Sequence, residues 1–327
     1  MKRLSIIGMV FGLFILVLLL VTQGLEEIVR HLVHSGWVLL VLPFIWVPNL
    51  IFASESWRLL FREEQKPTFN HALLAIWLGR SVNSLLPVAT IGGEIVKARL
   101  LTLWGGKGID ASASVLVDKT VQVLAVIVWG LTGIALLFYL SLNDQLALVA
   151  LGGFGVLAIC VVGFFLVQRA GMFNLLSSIG ARLVKSGDWS EISNNAKAVD
   201  QTVMALYRNQ RRFLLSVLLK STGLMVQTAE VWLACYLLGF PISLPEALML
   251  KSLTSTLSDV AFVIPNAYGI QEGAFIVIGA LLGMGPDIAL AVSLAIRIRE
   301  PVIDLPGLLF WQFVESKRLI QRRTINS

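Results

Sequence analysis

Six predominantly apolar runs, at residues 5–22, 36–54, 111–140, 146–167, 213–239 and 287–313, are each long enough to form a helix that crosses a bilayer's hydrocarbon, roughly 30 Å thick. So many long runs cannot be hidden in one water-soluble core, and the composition agrees. Of 327 residues 57% are hydrophobic and 14% charged, against about 25% charged in soluble domains. A net charge of +6 does not indicate a nucleic-acid partner, because no segment offers a basic face on a soluble domain. Lys2 and Arg3 ahead of the first run suggest a signal peptide. Val21, Thr22, Gln23 and Gly24 form no small-residue cleavage site, so an uncleaved span is expected. Cys160 and Cys235 both fall in apolar runs and read as small buried hydrophobes, not as a disulfide framework.

Two other regions, 69–104 around Pro87 and 244–283 around Pro265, are too broken by Pro and Gly to be simple spans and too apolar to be loops. Each reads as two short helices meeting at a proline-containing tip. Irregular backbone survives at membrane depth only where protein or a watery cavity surrounds it, so both are expected to be re-entrant hairpins. Basic residues set the orientation. Lys2 and Arg3, then Arg58, Arg62 and Lys66, the segment 168–212 with Arg169, Arg182, Lys185, Lys197, Arg208, Arg211 and Arg212, and the tail with Lys317, Arg318, Arg322 and Arg323 all fall on one side. The expected fold is therefore an all-α polytopic membrane protein with six transmembrane helices and two re-entrant helical hairpins. It would be a single integral domain, 1–327, with both termini cytoplasmic in a bacterial inner membrane. Segment 168–212 is expected to hold amphipathic helices against anionic inner-leaflet lipids.

The two hairpins are related by one fixed offset in the numbering. The shift that sets Pro87 on Pro265 also sets Glu94 on Glu272 and Gly105 on Gly283. Three spans lie between the prolines, an odd number, so the units 69–140 and 244–313 would be inverted relative to one another, as in many secondary transporters. The span after each hairpin carries charges at its middle: Asp118 and Lys119 in the first, Arg297, Arg299 and Glu300 in the second. Asp118 lies roughly 12 Å along its helix from Asp110, near the midplane, where one charge costs about 2.5–3.5 kcal/mol or more. Such charges must face inward. Ser114, Asp118 and Gln122 recur at helical spacing. So do Ser293, Arg297, Glu300 and Asp304, and Lys220, Gly223, Gln227, Glu230 and Ala234, giving three polar stripes. Asp118 is expected to face Arg297 or Arg299 across the pseudo-twofold axis, and Lys220 to snorkel to the interface. The hairpins add Arg80 and Asn83, then Glu94, Lys97 and Arg99, in the first, and Lys251, Ser258, Asp259 and Glu272 in the second. His31 and His34 share a helical face without a third ligand, so no metal site and no cofactor are expected.

Ser81-Val82-Asn83-Ser84-Leu85-Leu86-Pro87, Gly92-Gly93-Glu94 with Arg99, Asp118-Lys119, and Pro265 through Gly269-Ile270-Gln271-Glu272-Gly273 to Arg297 resemble a flippase-like membrane family. That family includes the transmembrane region of lysylphosphatidylglycerol synthases, and the likeness extends to its stand-alone branch associated with hopanoid biosynthesis. The resemblance implies movement of a lipid between leaflets with its headgroup passing the hairpins. Bifunctional members carry an aminoacyl-transferase domain; this chain ends at Ser327, shortly after Phe313, so lipid aminoacylation by it is not expected.

The function expected is transport of a polar-headgroup lipid, phospholipid or hopanoid in type. The residues expected to line the path are Arg80, Asn83, Glu94, Lys97, Arg99, Asp118, Lys119, Glu230, Glu272, Arg297, Arg299 and Glu300, with Pro87 and Pro265 at the hairpin tips. A non-transporting assembly factor for an envelope-lipid pathway is the main rival. A headgroup-modifying enzyme is a weaker one, since the chain offers no nucleophile, base or metal constellation. Nor does it carry a Walker A sequence for nucleotide hydrolysis. A second copy of the chain remains open as a partner.

Overall fold

The structure, a computed structural model, describes residues 2–87, 91–140, 189–261 and 264–325, with isolated positions between 148 and 168. The expected span at 146–167 and the stretch 169–188 fall almost wholly outside the described residues. Every described element is helical: α1 (Lys2–Thr22), α2 (Leu25–Ser35), α3 (Leu42–Trp46), α4 (Pro48–Arg58), α5 (Phe69–Leu85), α6 (Gly92–Leu103), α7 (Gly108–Tyr139), α8 (Trp189–Arg208), α9 (Gln210–Leu237), α10 (Leu244–Val260), α11 (Ile270–Leu281), α12 (Pro286–Arg297) and α13 (Leu305–Ile325). Among the described residues, two stretches, Leu25–Arg58 and Gly108–Tyr139, are long and apolar enough to cross a membrane unaided.

Polarity runs inside out. Ile7, Phe14 and Val21 on α1, Trp37, Leu218 on α9 and Val277 on α11 are exposed, while Asp118, Glu230, Glu272 and Asp304 are buried. In water this distribution would be costly in both directions; in lipid the exposed apolar side chains cost nothing and the charges are withdrawn from hydrocarbon. Cys235 is buried in the apolar core, as its surroundings in sequence indicate.

Two boundaries differ from the sequence reading, each for a local reason. The second span starts at Leu25, not at 36: Gly24 turns the chain in the left-handed region, α2 follows, and one 3-10 segment, Gly36–Val41, carries the path into α3 and α4. Glu26, Glu27, Arg30 and the histidines disguise α2, yet its Ile28 is buried. His31 Nε2 lies 3.1 Å from Asp287 Oδ2, so this histidine ties α2 to the start of α12. The last apolar run, 287–313, is broken by a π-turn at Glu300–Asp304. Pro301 there can donate no N–H, and its ring would clash with the carbonyl four residues earlier in a regular helix.

The described part of the amphipathic segment, α8, places Val199, Val203 and Tyr207 in the protein core, with the Tyr207 hydroxyl 3.0 Å from Thr120 Oγ1 on α7. Its apolar face therefore serves a protein contact, and the chain has already entered α9 at Gln210.

Both hairpins are formed. Helices α5 and α6 approach so closely that a Cβ on Gly93 would collide with the Gly79 carbonyl oxygen, and Asn83 Oδ1 accepts the Gly93 N–H at 2.7 Å. Helices α10 and α11 meet at a tip where Asn266 and Ala267 hold φ of 52° and 48°, a region that costs non-glycine residues on the order of 1–3 kcal/mol. The first helix of each hairpin packs against the long span of the other half, and it does so reciprocally. Trp129 Nε1 on α7 donates to Ser255 Oγ on α10 at 2.9 Å. The offset that sets Pro87 on Pro265 sets Trp77 on Ser255 and Trp129 on Gly307. Trp77 in turn abuts Gly307, where a Cβ would stand 2.9 Å from Trp77 Nε1. The contact is thus reciprocal under the sequence offset: Trp129 meets Ser255, and the residues the offset sets on them, Gly307 and Trp77, meet each other.

Candidate functional site

Three groups of buried charge occupy the space between the hairpins, α7, α9 and α12. All three polar stripes read from the sequence point inward: Ser114 and Asp118, Gln227 and Glu230, and Ser293, Arg297 and Asp304 are buried.

The first group centres on Asp118, whose two oxygens are both engaged. Lys97 Nζ donates to Oδ2 at 2.6 Å and Lys220 Nζ to Oδ1 at 2.8 Å. Lys97 also donates to Glu94 Oε2 at 2.8 Å and sits over the Trp57 ring. Lys119 approaches Glu94 Oε1 at 3.5 Å and Gln122 Oε1 at 3.3 Å. The expectation that Asp118 faces Arg297 or Arg299 is thus corrected, since its cations come from α6 and α9. Lys220 does not snorkel to an interface. Its side chain is only 12% exposed because a carboxylate waits in the core one stripe away.

The second group centres on Arg297. Its Nε donates to Glu272 Oε1 at 2.5 Å and its Nη1 to Glu300 Oε1 at 2.8 Å. Both terminal nitrogens reach toward the Asn266 carbonyl at 3.4 Å. Glu300 also accepts from Asn266 Nδ2 and from the Tyr268 hydroxyl, at 2.5 and 2.8 Å. Glu272 caps its own helix by accepting the Gly269 N–H at 2.7 Å and takes a third hydrogen bond from Ser293. The left-handed tip of the second hairpin is therefore held by one guanidinium and two carboxylates, which offsets its backbone strain.

These two groups repeat each other. The offset between the hairpins carries Glu94, Lys119 and Gln122 onto Glu272, Arg297 and Glu300. In each half the hairpin glutamate meets a cation on the following span, which in turn meets a side-chain oxygen one helical turn further on. Sequence reasoning identified the two glutamates as equivalent but paired the cations across the axis instead of within each half.

The third group has no such counterpart. Glu230, wholly buried on α9, accepts from Arg299 Nη1 at 3.1 Å and lies 3.8 Å from Lys251 Nζ. Nearby, Arg80 donates to both oxygens of the buried Asp304 at 3.0 and 3.3 Å, and Arg80 and Arg299 both lie over Trp46. Lys251 matters more than the sequence reading implied. Its clue was position: one lysine in the middle of an otherwise neutral stretch of α10, at 3% exposure. Arg99 stands apart from all three groups, half-exposed and paired with Glu315. Pro265 is buried beneath the second tip; Pro87 follows α5, and residues 88–90 beyond it lie outside the described residues.

Such an arrangement can bind and pass a polar group, because it keeps several charges desolvated yet mutually neutralised inside an apolar shell. Comparison with known proteins agrees with a membrane role. A UPF0104 membrane protein of Pyrococcus horikoshii is 23% identical over 329 aligned residues, covering 94% of this chain and 95% of the relative. No solved structure matches the chain significantly. Residues 5–303 match the family described as the lysylphosphatidylglycerol synthase transmembrane region, and the chain belongs to that family.

Proposed function

We propose that this membrane protein moves a polar-headgroup lipid, phospholipid or hopanoid in type, between leaflets, and that it does so as a transporter and not as an enzyme. The observation that carries the reading is the duplicated triad, Glu94–Lys119–Gln122 and Glu272–Arg297–Glu300. A purely structural ion pair rarely repays its desolvation, and here a costly device occurs twice, each time beside a hairpin tip. In this reading the two hairpins are re-entrant from opposite sides of a six-span fold, and the triads hold their tips in alternation. The second triad is tight in this structure, while Lys119 in the first is 33% exposed and stands 3.5 and 3.3 Å from its partners. A headgroup would replace the looser contacts as it passes Arg80, Asn83, Glu94 and Lys97 toward Glu272 and Arg297. Segment 168–212 would face the anionic inner leaflet with its basic residues, and both termini would be cytoplasmic.

Purified protein in liposomes, assayed for leaflet exchange of a labelled lipid and for headgroup turnover in the same vesicles, tests the reading. Exchange without turnover is expected. Turnover would favour the enzyme, and neither activity would favour the assembly factor. Glu94→Gln and Glu272→Gln should each slow exchange by about tenfold or more, the loss expected when one charge-assisted hydrogen bond is removed, with folded yield reduced far less. Undiminished exchange in both variants would remove the triads from the mechanism.

Orientation has a separate check. Single cysteines at Lys66 and at Pro241, in a background without Cys160 and Cys235, should label from the cytoplasmic and the opposite side respectively. Labelling of both from one side would end the inverted arrangement.

A further inference from the structure

Glu230 with Lys251 and Arg299 has the same composition as Asp118 with Lys97 and Lys220, one carboxylate and two cations, but the opposite state of completion. Asp118 has both oxygens bonded at 2.6 and 2.8 Å. Glu230 Oε1, buried with its whole side chain, has no hydrogen-bond partner among the described residues, and neither has Nε of the same Arg299 that bonds its other oxygen. Lys251 Nζ, on a side chain 4% exposed, stands 3.8 Å from Glu230, beyond hydrogen-bond reach. Among the described residues, an unmet acceptor and an unmet donor thus share one cluster with the loosely paired Lys251 ammonium. Leaving such groups unpaired is expensive, the more so for charged ones. Nor does the internal repeat account for them, since the same offset places Leu73 opposite Lys251 and Val121 opposite Arg299.

We infer that this cluster is a recognition site for a polyhydroxylated headgroup, one carrying neighbouring hydroxyls. An anion alone would meet the free oxygen of Glu230, and a cation alone would meet Arg299 and Lys251. A hydroxyl suits both, because it donates to Glu230 Oε1 while accepting from Arg299 Nε or Lys251 Nζ. A second hydroxyl on the adjacent carbon reaches the remaining cation. The three groups come from three elements, α9, α10 and the turn after α12, so the site is completed only when hairpin and spans are together. The inference rests on the transport reading for its lipid context, and the binding measurement is kept separate from exchange so that either can fail alone.

The test uses full-length protein in nanodiscs and measures retention of three lipids that share acyl chains: phosphatidylglycerol and a glucosyl diacylglycerol, which carry diols, and phosphatidylethanol, which has the phosphodiester without one. Both diol lipids should be retained about tenfold or more over phosphatidylethanol. Glu230→Gln should abolish that preference, bringing the ratio of diol-lipid to phosphatidylethanol retention to about one. Equal retention of all three lipids, or a preference that survives Glu230→Gln, overturns the site. Competition by free glycerol at matched concentration would overturn the lipid as source and assign a soluble polyol. Should Glu230→Gln fail to fold, wild-type selectivity decides alone. Diol preference without leaflet exchange would leave the site standing and remove the transport reading; exchange without preference would do the reverse.

Discussion

Replacing Asp118 with asparagine should lower the melting temperature of the detergent-solubilised protein by on the order of 10 °C, while the same change at Asp110 should leave it nearly unaltered. Asp118 is 2% exposed and holds two ammonium groups, Lys97 from α6 and Lys220 from α9. The amide keeps its shape but not its charge, so Lys220 loses its counter-ion and Lys97 loses one of its two. Removing one member of a buried ion pair costs about 3–5 kcal/mol, chiefly through the charge left behind. In a large domain each kcal/mol is worth a few degrees at most. Lys97 retains Glu94, but among the described residues Lys220 has no second carboxylate. Adding Lys220→Met to Asp118→Asn should therefore recover part of the loss by removing the stranded charge. A shift below about 2 °C for Asp118→Asn, or no recovery in the double variant, would show that the cluster is not what joins α6, α7 and α9.

The sequence made some of this legible and not the rest, for physical reasons. Facing was legible because the cost of a charge in hydrocarbon admits one solution: the helical recurrence of Asp118, Glu230 and Arg297 with their neighbours had to point inward, and it does. Equivalence was legible too, since one fixed offset relates Glu94 to Glu272 and also Trp77 to Ser255 and Trp129 to Gly307. Partner choice was not. Opposite signs at similar depth suggested Asp118 against Arg297, but the offset aligns Arg297 with Lys119, a residue of like sign. Equivalent residues play the same part in each half, and the part is to meet the glutamate of their own hairpin. Asp118 has Ile296 as its counterpart, so its partners had to come partly from α9, outside the repeat. Lys220 carries the information, but counting depth along an isolated helix assigned it to the interface, because a helix considered alone shows no waiting carboxylate. The break at Pro301 was legible in principle from the missing N–H; that the chain answers it with a π-turn, bringing Asp304 under Arg80, depends on what packs against it.

Among the described residues Arg297 gathers four contacts on one side chain, and its replacement is expected to have a large local effect. One guanidinium engages Glu272, Glu300 and the Asn266 carbonyl, and its central carbon lies 4.5 Å from the centre of the Tyr268 ring. Arginine can meet a carboxylate on each side because its donors are fixed in a planar fork; an ammonium cannot span them in the same geometry. Arg297→Gln should strand the buried Glu272, take one of the donors from the half-buried Glu300, and cost about 3–5 kcal/mol. It should also free the tip, since Asn266 and Ala267 remain in the left-handed region only while surrounding contacts enforce it. Limited proteolysis and alkylation of a cysteine placed at Asn266 should both accelerate in Arg297→Gln, and to a lesser degree in Arg297→Lys, which keeps the charge but not the fork. If the tip is part of a gate, leaflet exchange in Arg297→Lys should fall more steeply than its stability does, because a point charge can neutralise Glu272 without also holding the Asn266 carbonyl. Equal losses of stability and exchange in the lysine variant would make Arg297 a lock alone. A tip no more reactive in Arg297→Gln than in the parent would show that the backbone strain is held by something other than this residue.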